Sequence, residues 1–230
     1  MQIGIIVASR REWEPFFRVF GKNCVHYHSS CDQKIVGWEF GRHCIYLIQS
    51  GYGEIAAASA TQYLIDEFYV ESIINYGVVG GLHENYPAKK VGFVRKIVHY
   101  GFDVSGGGKY PIGRYPNQED LFIKPEREAL PLSVIEKALG TQLTEFVCAS
   151  ADKFVYGGEA KRQLREKFGA DICEMEAAGV VLTCNRNHVP CSFIKAVSDG
   201  VDEDEKAFHK NVQSAAKICA KTIKKILEVL

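Results

Sequence analysis

The stretch IYLIQSGYGEIAAASATQYLIDEF, residues 45–68, joins a short apolar run to an amphipathic segment through a turn that contains two glycines. Residues 45–49 are typical of a strand that is buried on both faces. Between residues 54 and 68, apolar side chains recur at helical spacing and therefore share one face. A buried strand followed by such a helix is the repeating unit of an α/β protein.

The same alternation of strand and helix continues along the chain. Five further apolar runs have the strand pattern, at 3–8, 72–76, 91–98, 145–149 and 193–197. No internal repeat, low-complexity tract or linker separates them. Because 230 residues lie within the range that one α/β domain fills, we expect a single domain over residues 1–230.

The composition is that of a globular protein without a dominant charge. Hydrophobic residues make up 47%, and 28 basic residues balance 28 acidic ones. Such a chain has no broad field that attracts nucleic acid or an anionic membrane, so we expect a small-molecule ligand and neither of those partners. There is no run of 18 apolar residues, and residues 2–7 lack the basic flank and cleavage site of a signal peptide.

The cysteines are widely spaced and form no C-x-x-C pair. Several lie within apolar patterns, where a thiol behaves as a small hydrophobic group. We therefore expect reduced, structural cysteines, a cytoplasmic location and no metal site. The eight are Cys24, Cys31, Cys44, Cys148, Cys173, Cys184, Cys191 and Cys219.

Acidic residues follow several predicted strands, at the position where an open parallel sheet binds its ligands. Glu174 and Glu176 flank a methionine where a strand leads into a helix, and ribose hydroxyls are natural partners for acids so placed. Asp199 follows the strand at 193–197, although it could instead cap the next helix. Glu12 follows the first strand, in a charged segment that by itself is better explained as an ordinary helix start.

Two glycine-rich segments also follow strands. Residues 50–56, SGYGEIA, match a dinucleotide-binding fingerprint, but that fold places an acid at the end of the next strand, and none occurs before Glu84. We therefore reject a dinucleotide cofactor and predict a tight turn where the backbone approaches a ligand. Residues 75–81, NYGVVGG, predict a second turn of this kind.

Together these segments resemble the methylthioadenosine/S-adenosylhomocysteine nucleosidases of the nucleoside phosphorylase superfamily. The matching motifs occur in order over nearly the whole chain: the opening strand with Glu12, and the segments at 50–53, 75–82, 174–178 and 198–199. The resemblance implies a single-domain, three-layer α/β/α fold around a mixed, largely parallel sheet. It also implies hydrolysis of the N-ribosidic bond of a 5′-modified adenine nucleoside, no cofactor, and a homodimer.

The resemblance assigns roles to the matching residues. Glu12 would deprotonate the attacking water, and Asp199, oriented by Ser198, would protonate the departing purine. Met175 and Glu176 would hold the ribose. The substrate-binding set is Tyr52, Val78, Phe154, Val155, Glu174, Met175, Glu176, Ser198 and Phe208.

Aromatic side chains and two departures from the family pattern concern the rest of the nucleoside. Phe154 would stack on the purine, the backbone of Val155 would contact its edge, and Phe208 would line the pocket for the 5′ substituent. Val78 stands where serine is usual, and Tyr52 replaces a smaller aliphatic residue near the 5′ group.

Two alternatives remain open at the level of sequence. In a phosphorylase, Arg10, Arg11, Lys195 and the turn at 50–53 could hold phosphate, although a carboxylate at Glu12 would repel that anion. A non-catalytic nucleoside-binding protein of the same fold is the other alternative. It would be expected to have lost Glu12 or Asp199, and the chain retains both.

Overall fold

The computed structural model describes residues 1–27, 33–203 and 205–230. These residues form nine strands: β1 Gln2–Val7, β2 Val25–Tyr27, β3 Lys34–Phe40, β4 His43–Gln49, β5 Ser72–Gly81, β6 Val91–His99, β7 Thr144–Ser150, β8 Ile172–Glu174 and β9 Cys191–Asp199. They also form six α-helices: α1 Arg10–Phe20, α2 Glu54–Phe68, α3 Leu132–Leu139, α4 Gly158–Phe168, α5 Ala177–Arg186 and α6 Glu205–Leu227. A short 3₁₀ turn at Ser105–Gly107 lies within the long connection after β6.

The described strands form one mixed sheet in the order β2-β3-β4-β1-β5-β8-β7-β6-β9. Strand β1 is central and pairs in parallel with β4 and β5, while β2 and β3 add an antiparallel edge. Of the nine pairings, five are parallel. The α/β class and the mixed sheet are therefore confirmed.

Beyond β5 the sheet closes on itself. Strand β5 pairs in parallel with β9, and its last two residues pair antiparallel with β8, at Gly80↔Cys173 and Gly81↔Ile172. Strands β8, β7 and β6 then lead back to β9. The sequence does not predict this ring of five strands, because the three residues of β8 are too few to give a periodic pattern.

One predicted turn is wrong. Residues 75–81 continue β5 as a strand, with a register irregularity between Val79 and Gly80. Glycines suit this strand because close neighbours occupy the space that a side chain would need. A Cβ on Gly81 would lie 3.1 Å from the carbonyl oxygen of Tyr86 and 3.2 Å from the side chain of Val197.

Helices cover both faces of the open part of the sheet. Alternate residues of β1 point to opposite sides, so that Ile5 packs in the cluster with α1 and α6, whereas Ile6 packs in the cluster with α2 and α5. None of the described helices combines the length and the apolar composition needed to cross a bilayer.

The cysteines that the structure describes are all free thiols. Five of them are buried: Cys148, Cys173, Cys184, Cys191 and Cys219. Cys31 lies outside the described residues.

We expect Gly179→Ala to destabilise the fold, because a Cβ on Gly179 would overlap the backbone carbonyl of Glu54 where α5 crosses the start of α2. Such overpacking typically costs about 1–3 kcal/mol. Gly107→Ala is the matched control, since nothing lies within 4 Å of its added Cβ. Urea unfolding curves for the two variants measure the difference, and equal midpoints would contradict the prediction.

Candidate active site

One pocket brings together every site residue predicted from the sequence. It lies where the end of β9 and the connection from β8 to α5 meet β5. Its wall contains Glu12, Tyr52, Val78, Phe154, Val155, Glu174, Met175, Glu176, Ser198, Asp199 and Phe208. The closure of the sheet explains the arrangement, because the antiparallel pairing of β8 with β5 places Cys173 opposite Gly80, while β9 places Asp199 beside the same glycine.

Glu12 is held at the base of the pocket by three protein donors. The backbone N–H and the hydroxyl of Ser9 both donate to Oε2, each at 2.8 Å, and the backbone N–H of Val78 donates to Oε1 at 2.9 Å. The Tyr76 hydroxyl donates to the Glu12 carbonyl. A Cβ on Gly77 would lie 2.6 Å from Oε1, so the carboxylate fits only because residue 77 is a glycine.

Glu174 forms a buried ion pair with Lys195 of β9. The Lys195 ammonium donates to Oε2 at 3.0 Å, and the backbone N–H groups of Glu176 and Ala177 donate to the same carboxylate. Burial lowers the pKa of Lys195, but the neighbouring Glu174 and Glu176 outweigh it, so the net pKa is raised. Glu174 thus borders the pocket while its carboxylate is occupied by contacts within the protein.

Glu176 lies beside this ion pair, but fewer donors stabilise its negative charge. The backbone N–H of Gly53 donates to its Oε1 at 2.9 Å. Burial, followed by repulsion from Glu174, raises the pKa of Glu176 to about 8, and Lys195 and the Gly53 hydrogen bond offset only part of this effect. A carboxyl group in this state is a good partner for ligand hydroxyls.

Both carboxylate oxygens of Asp199 accept hydrogen bonds from side chains. The Ser198 hydroxyl donates to Oδ1 at 2.6 Å, and the Lys161 ammonium of α4 donates to Oδ2 at 2.5 Å. Lys161 also donates to the carbonyl of Gly200 at 2.6 Å, and its side chain is 1% exposed.

Lys161 is the functional candidate that sequence reasoning missed. The sequence does carry a sign of its role: Lys161 lies at helical spacing from Leu164 and Phe168, and the three form the buried face of α4. A lysine within an apolar stripe is unusual unless it has a buried partner.

The opposite wall of the pocket is aromatic and open. The rings of Phe154 and Phe208 meet edge to face, with centroids 5.6 Å apart. Phe154 is 54% exposed and Tyr52 is 71% exposed, whereas Glu12, Glu176 and Asp199 are each at most 8% exposed. The pocket is therefore acidic and enclosed at its base, and apolar and accessible at its mouth.

The fold and the pocket together define an α/β protein in which buried carboxylates face an aromatic wall across one small-molecule-sized pocket. The chain belongs to the Phosphorylase superfamily, whose family model matches residues 2–228.

Curated relatives and solved structures agree with this membership. The chain is 30% identical to the aminodeoxyfutalosine nucleosidase of Campylobacter jejuni over the full length of both chains. It is 31% identical to the 5′-methylthioadenosine/S-adenosylhomocysteine nucleosidase of Haemophilus ducreyi, over 88% of this chain and 87% of that one. The native futalosine hydrolase of Helicobacter pylori superimposes with a TM-score of 0.91 at 26% identity, over 100% of this chain and 98% of that one.

The raised pKa of Glu176 predicts a pH-dependent stability. The value is about 8 in the folded protein, whereas an unperturbed glutamate has 4.5, so between these values the folded protein keeps a proton that the unfolded chain has released. The free energy of unfolding therefore falls as pH rises through this window. From pH 5 to pH 8 we expect the wild type to lose on the order of 2–4 kcal/mol relative to Glu176→Gln, which does not titrate.

Denaturant unfolding at several pH values measures this difference. Glu159→Gln, at an exposed position on α4, is the control and should follow the wild type at every pH. A gap between the wild type and Glu176→Gln that stays constant from pH 5 to 8 would refute the assignment.

Proposed function

We propose that this chain hydrolyses the N-ribosidic bond of a 5′-modified adenine nucleoside and releases adenine. The observation that carries the proposal is that Glu12 and Asp199, 187 positions apart in the sequence, line one pocket with Glu176. Ribosidic cleavage passes through an oxocarbenium-like state, and it needs an acid for the leaving base and a carboxylate for the attacking water. The relatives support this reaction, because both curated proteins above are named nucleosidases.

In the proposed mechanism, Asp199 donates a proton to the departing purine and Glu12 accepts one from the attacking water. Oε1 of Glu12 accepts one hydrogen bond from Val78 and retains an acceptor position for that water. Among the described residues, no donor engages Oε2 of Glu176, and we assign the ribose hydroxyls to this atom. As positive charge builds on the sugar, the attraction of the Glu12 carboxylate grows, which favours the transition state over the substrate.

The contacts around the turn at 50–53 favour water over phosphate as the nucleophile. A phosphate cradle needs free backbone N–H groups and cations. The N–H groups of Gly53 and Glu54, at the start of α2, already donate to Glu176 and Asp152 at 2.9 and 2.5 Å. Lys195 is bound to Glu174, and the carboxylate of Glu12 would repel an anion.

We place the purine against Phe154 and Val155, and the 5′ substituent towards Tyr52 and Phe208 at the open mouth of the pocket. Methylthioadenosine and S-adenosylhomocysteine are the first substrates to compare. Aminodeoxyfutalosine is the third, because relatives named for each activity match this chain.

We further propose that residues 1–230 form one domain and that two copies assemble as a homodimer in the cytoplasm. Tyr52 and Ile55 support the dimer, since these apolar side chains are 71% and 82% exposed beside the pocket. The free thiols of the described cysteines are compatible with a reducing compartment.

Adenine release is expected to be independent of phosphate. The assay incubates each of the three nucleosides with and without phosphate and separates free sugar from sugar 1-phosphate by chromatography. Release that occurs only with phosphate would make the protein a phosphorylase. Nucleoside binding without any release would indicate a binding protein of the same fold.

Asp199→Asn should lower kcat by about 10²–10⁴-fold while nucleoside binding persists, because an amide cannot deliver the proton. Glu12→Gln should show a similar loss, because its amide cannot accept a proton from water. Steady-state kinetics and equilibrium binding of methylthioadenosine separate the two effects. Near-wild-type turnover in either variant would remove that residue from the mechanism.

A further inference from the structure

A buried lysine contacts the proposed acid from outside the predicted site. The Lys161 ammonium lies 2.5 Å from Oδ2 of Asp199 and 2.6 Å from the carbonyl oxygen of Gly200. Lys161 is not among the residues that line the pocket. Any effect of Lys161 on a ligand in the pocket must therefore pass through Asp199.

Packing alone does not explain a lysine at this position. Its neighbours on the buried stripe of α4 are Leu164 and Phe168, and an apolar residue would continue that stripe. Burying an ammonium is costly unless it is well paired, and replacing a buried ion pair by apolar residues is often neutral or stabilising. The acceptors that hold Lys161 in place both belong to the segment 199–200, which carries the proposed acid.

The contacts of Ser198 and Lys161 together fix the orientation of the Asp199 carboxyl group. The Ser198 hydroxyl oxygen lies 2.6 Å from Oδ1 and 3.1 Å from the carbonyl oxygen of Val79, so its single proton is within reach of both the acid and β5. Lys161 ties Oδ2 to α4. A carboxyl group whose oxygens contact the preceding residue of its own strand and a lysine of α4 cannot rotate about its Cβ–Cγ bond without breaking one of these contacts.

We propose that Lys161 is a positioning residue for proton delivery, which fixes the orientation of the Asp199 carboxyl group towards the departing base. This inference rests on the proposed function, in which Asp199 is the acid. A positioned acid contributes through its geometry, and small displacements of such a group reduce turnover strongly. Loss of Lys161 should therefore impair the step that Asp199 performs and leave nucleoside binding largely intact.

The test is a double-variant cycle of Lys161→Met and Asp199→Asn on methylthioadenosine. Lys161→Met should lower kcat at least tenfold and change KM by less than about threefold, because positioning acts on the proton transfer. In the Asp199→Asn background, the same substitution should lower kcat by less than about twofold, since the proton donor is already absent. Lys167→Met, at an exposed position of the same helix, is the matched control and should leave both constants unchanged.

A substrate that needs no proton on its leaving group gives the second measurement. A p-nitrophenyl riboside with the same 5′ group departs as a stable phenolate, so Lys161→Met should spare its turnover relative to that of the adenine nucleoside. Lys161→Arg keeps a buried cation at this position, and we expect it to recover part of the lost kcat. It also serves as the test variant if Lys161→Met does not fold.

The outcomes separate the possibilities. Equal losses for Lys161→Met in the wild-type and Asp199→Asn backgrounds, or a KM increase that accounts for the whole loss, would show a general structural role and overturn the proposal. Unchanged kcat in Lys161→Met would overturn it as well. Failure of the wild type to release adenine under any condition would instead overturn the proposed function, and the positioning role with it.

Discussion

Strand β5 belongs to the open sheet and to the closed ring at once, and this double role determines how the pocket is built. Along one edge β5 pairs first with β1 and, at its last two residues, with β8, while β9 pairs along the opposite edge. Side chains at the crossing would collide with the site, since a Cβ on Gly77 would lie 2.6 Å from Glu12 and one on Gly80 would lie 3.0 Å from the Cys173 sulfur. Because residues 77 and 80 have no side chains, the carboxylates of Glu12 and Asp199 can lie close to the backbone of β5.

The charges at the site are compensated unequally. Four acidic residues on the pocket wall are buried, and each would be costly to ionise without a partner. Glu174 and Asp199 each have a buried lysine, and Glu12 has three donors from neighbouring residues. Glu176 has the least support, and its pKa is the one that rises to about 8. The least compensated of these four acids is thus the one with a carboxyl oxygen, Oε2, that no donor among the described residues engages.

Local patterns made much of this architecture predictable. The helix at 54–68 and the central strands follow from periodicity, because buried strands and amphipathic helices leave strong local signals. The ring was not predictable, since it depends on a pairing between the three-residue strand β8 and the end of β5. For the same reason, the glycines at 75–81 suggested a turn: the residues that require glycine there are distant in sequence, and the segment itself is a strand.

The site was predictable where sequence motifs place acids after strands, and less so where a contact comes from a distant element. The motif residues from Glu12 to Asp199 converge on one pocket. Lys161 was not predicted, because its partner Asp199 lies 38 positions away in the sequence. Only its place on the buried face of α4 distinguishes it from the many solvated lysines of the chain.

The contrast between the enclosed base and the open mouth of the pocket bears on how such proteins diversify. Residues at the base are locked by mutual contacts, so substitution there disturbs several partners at once. Tyr52 at the mouth is 71% exposed, and exposed positions usually tolerate substitution within about ±0.5 kcal/mol. Under the proposed function, in which Tyr52 meets the 5′ substituent, this side chain can be exchanged at little cost in stability while the buried carboxylates are retained, so preference for one substituent over another can change faster than the reaction itself.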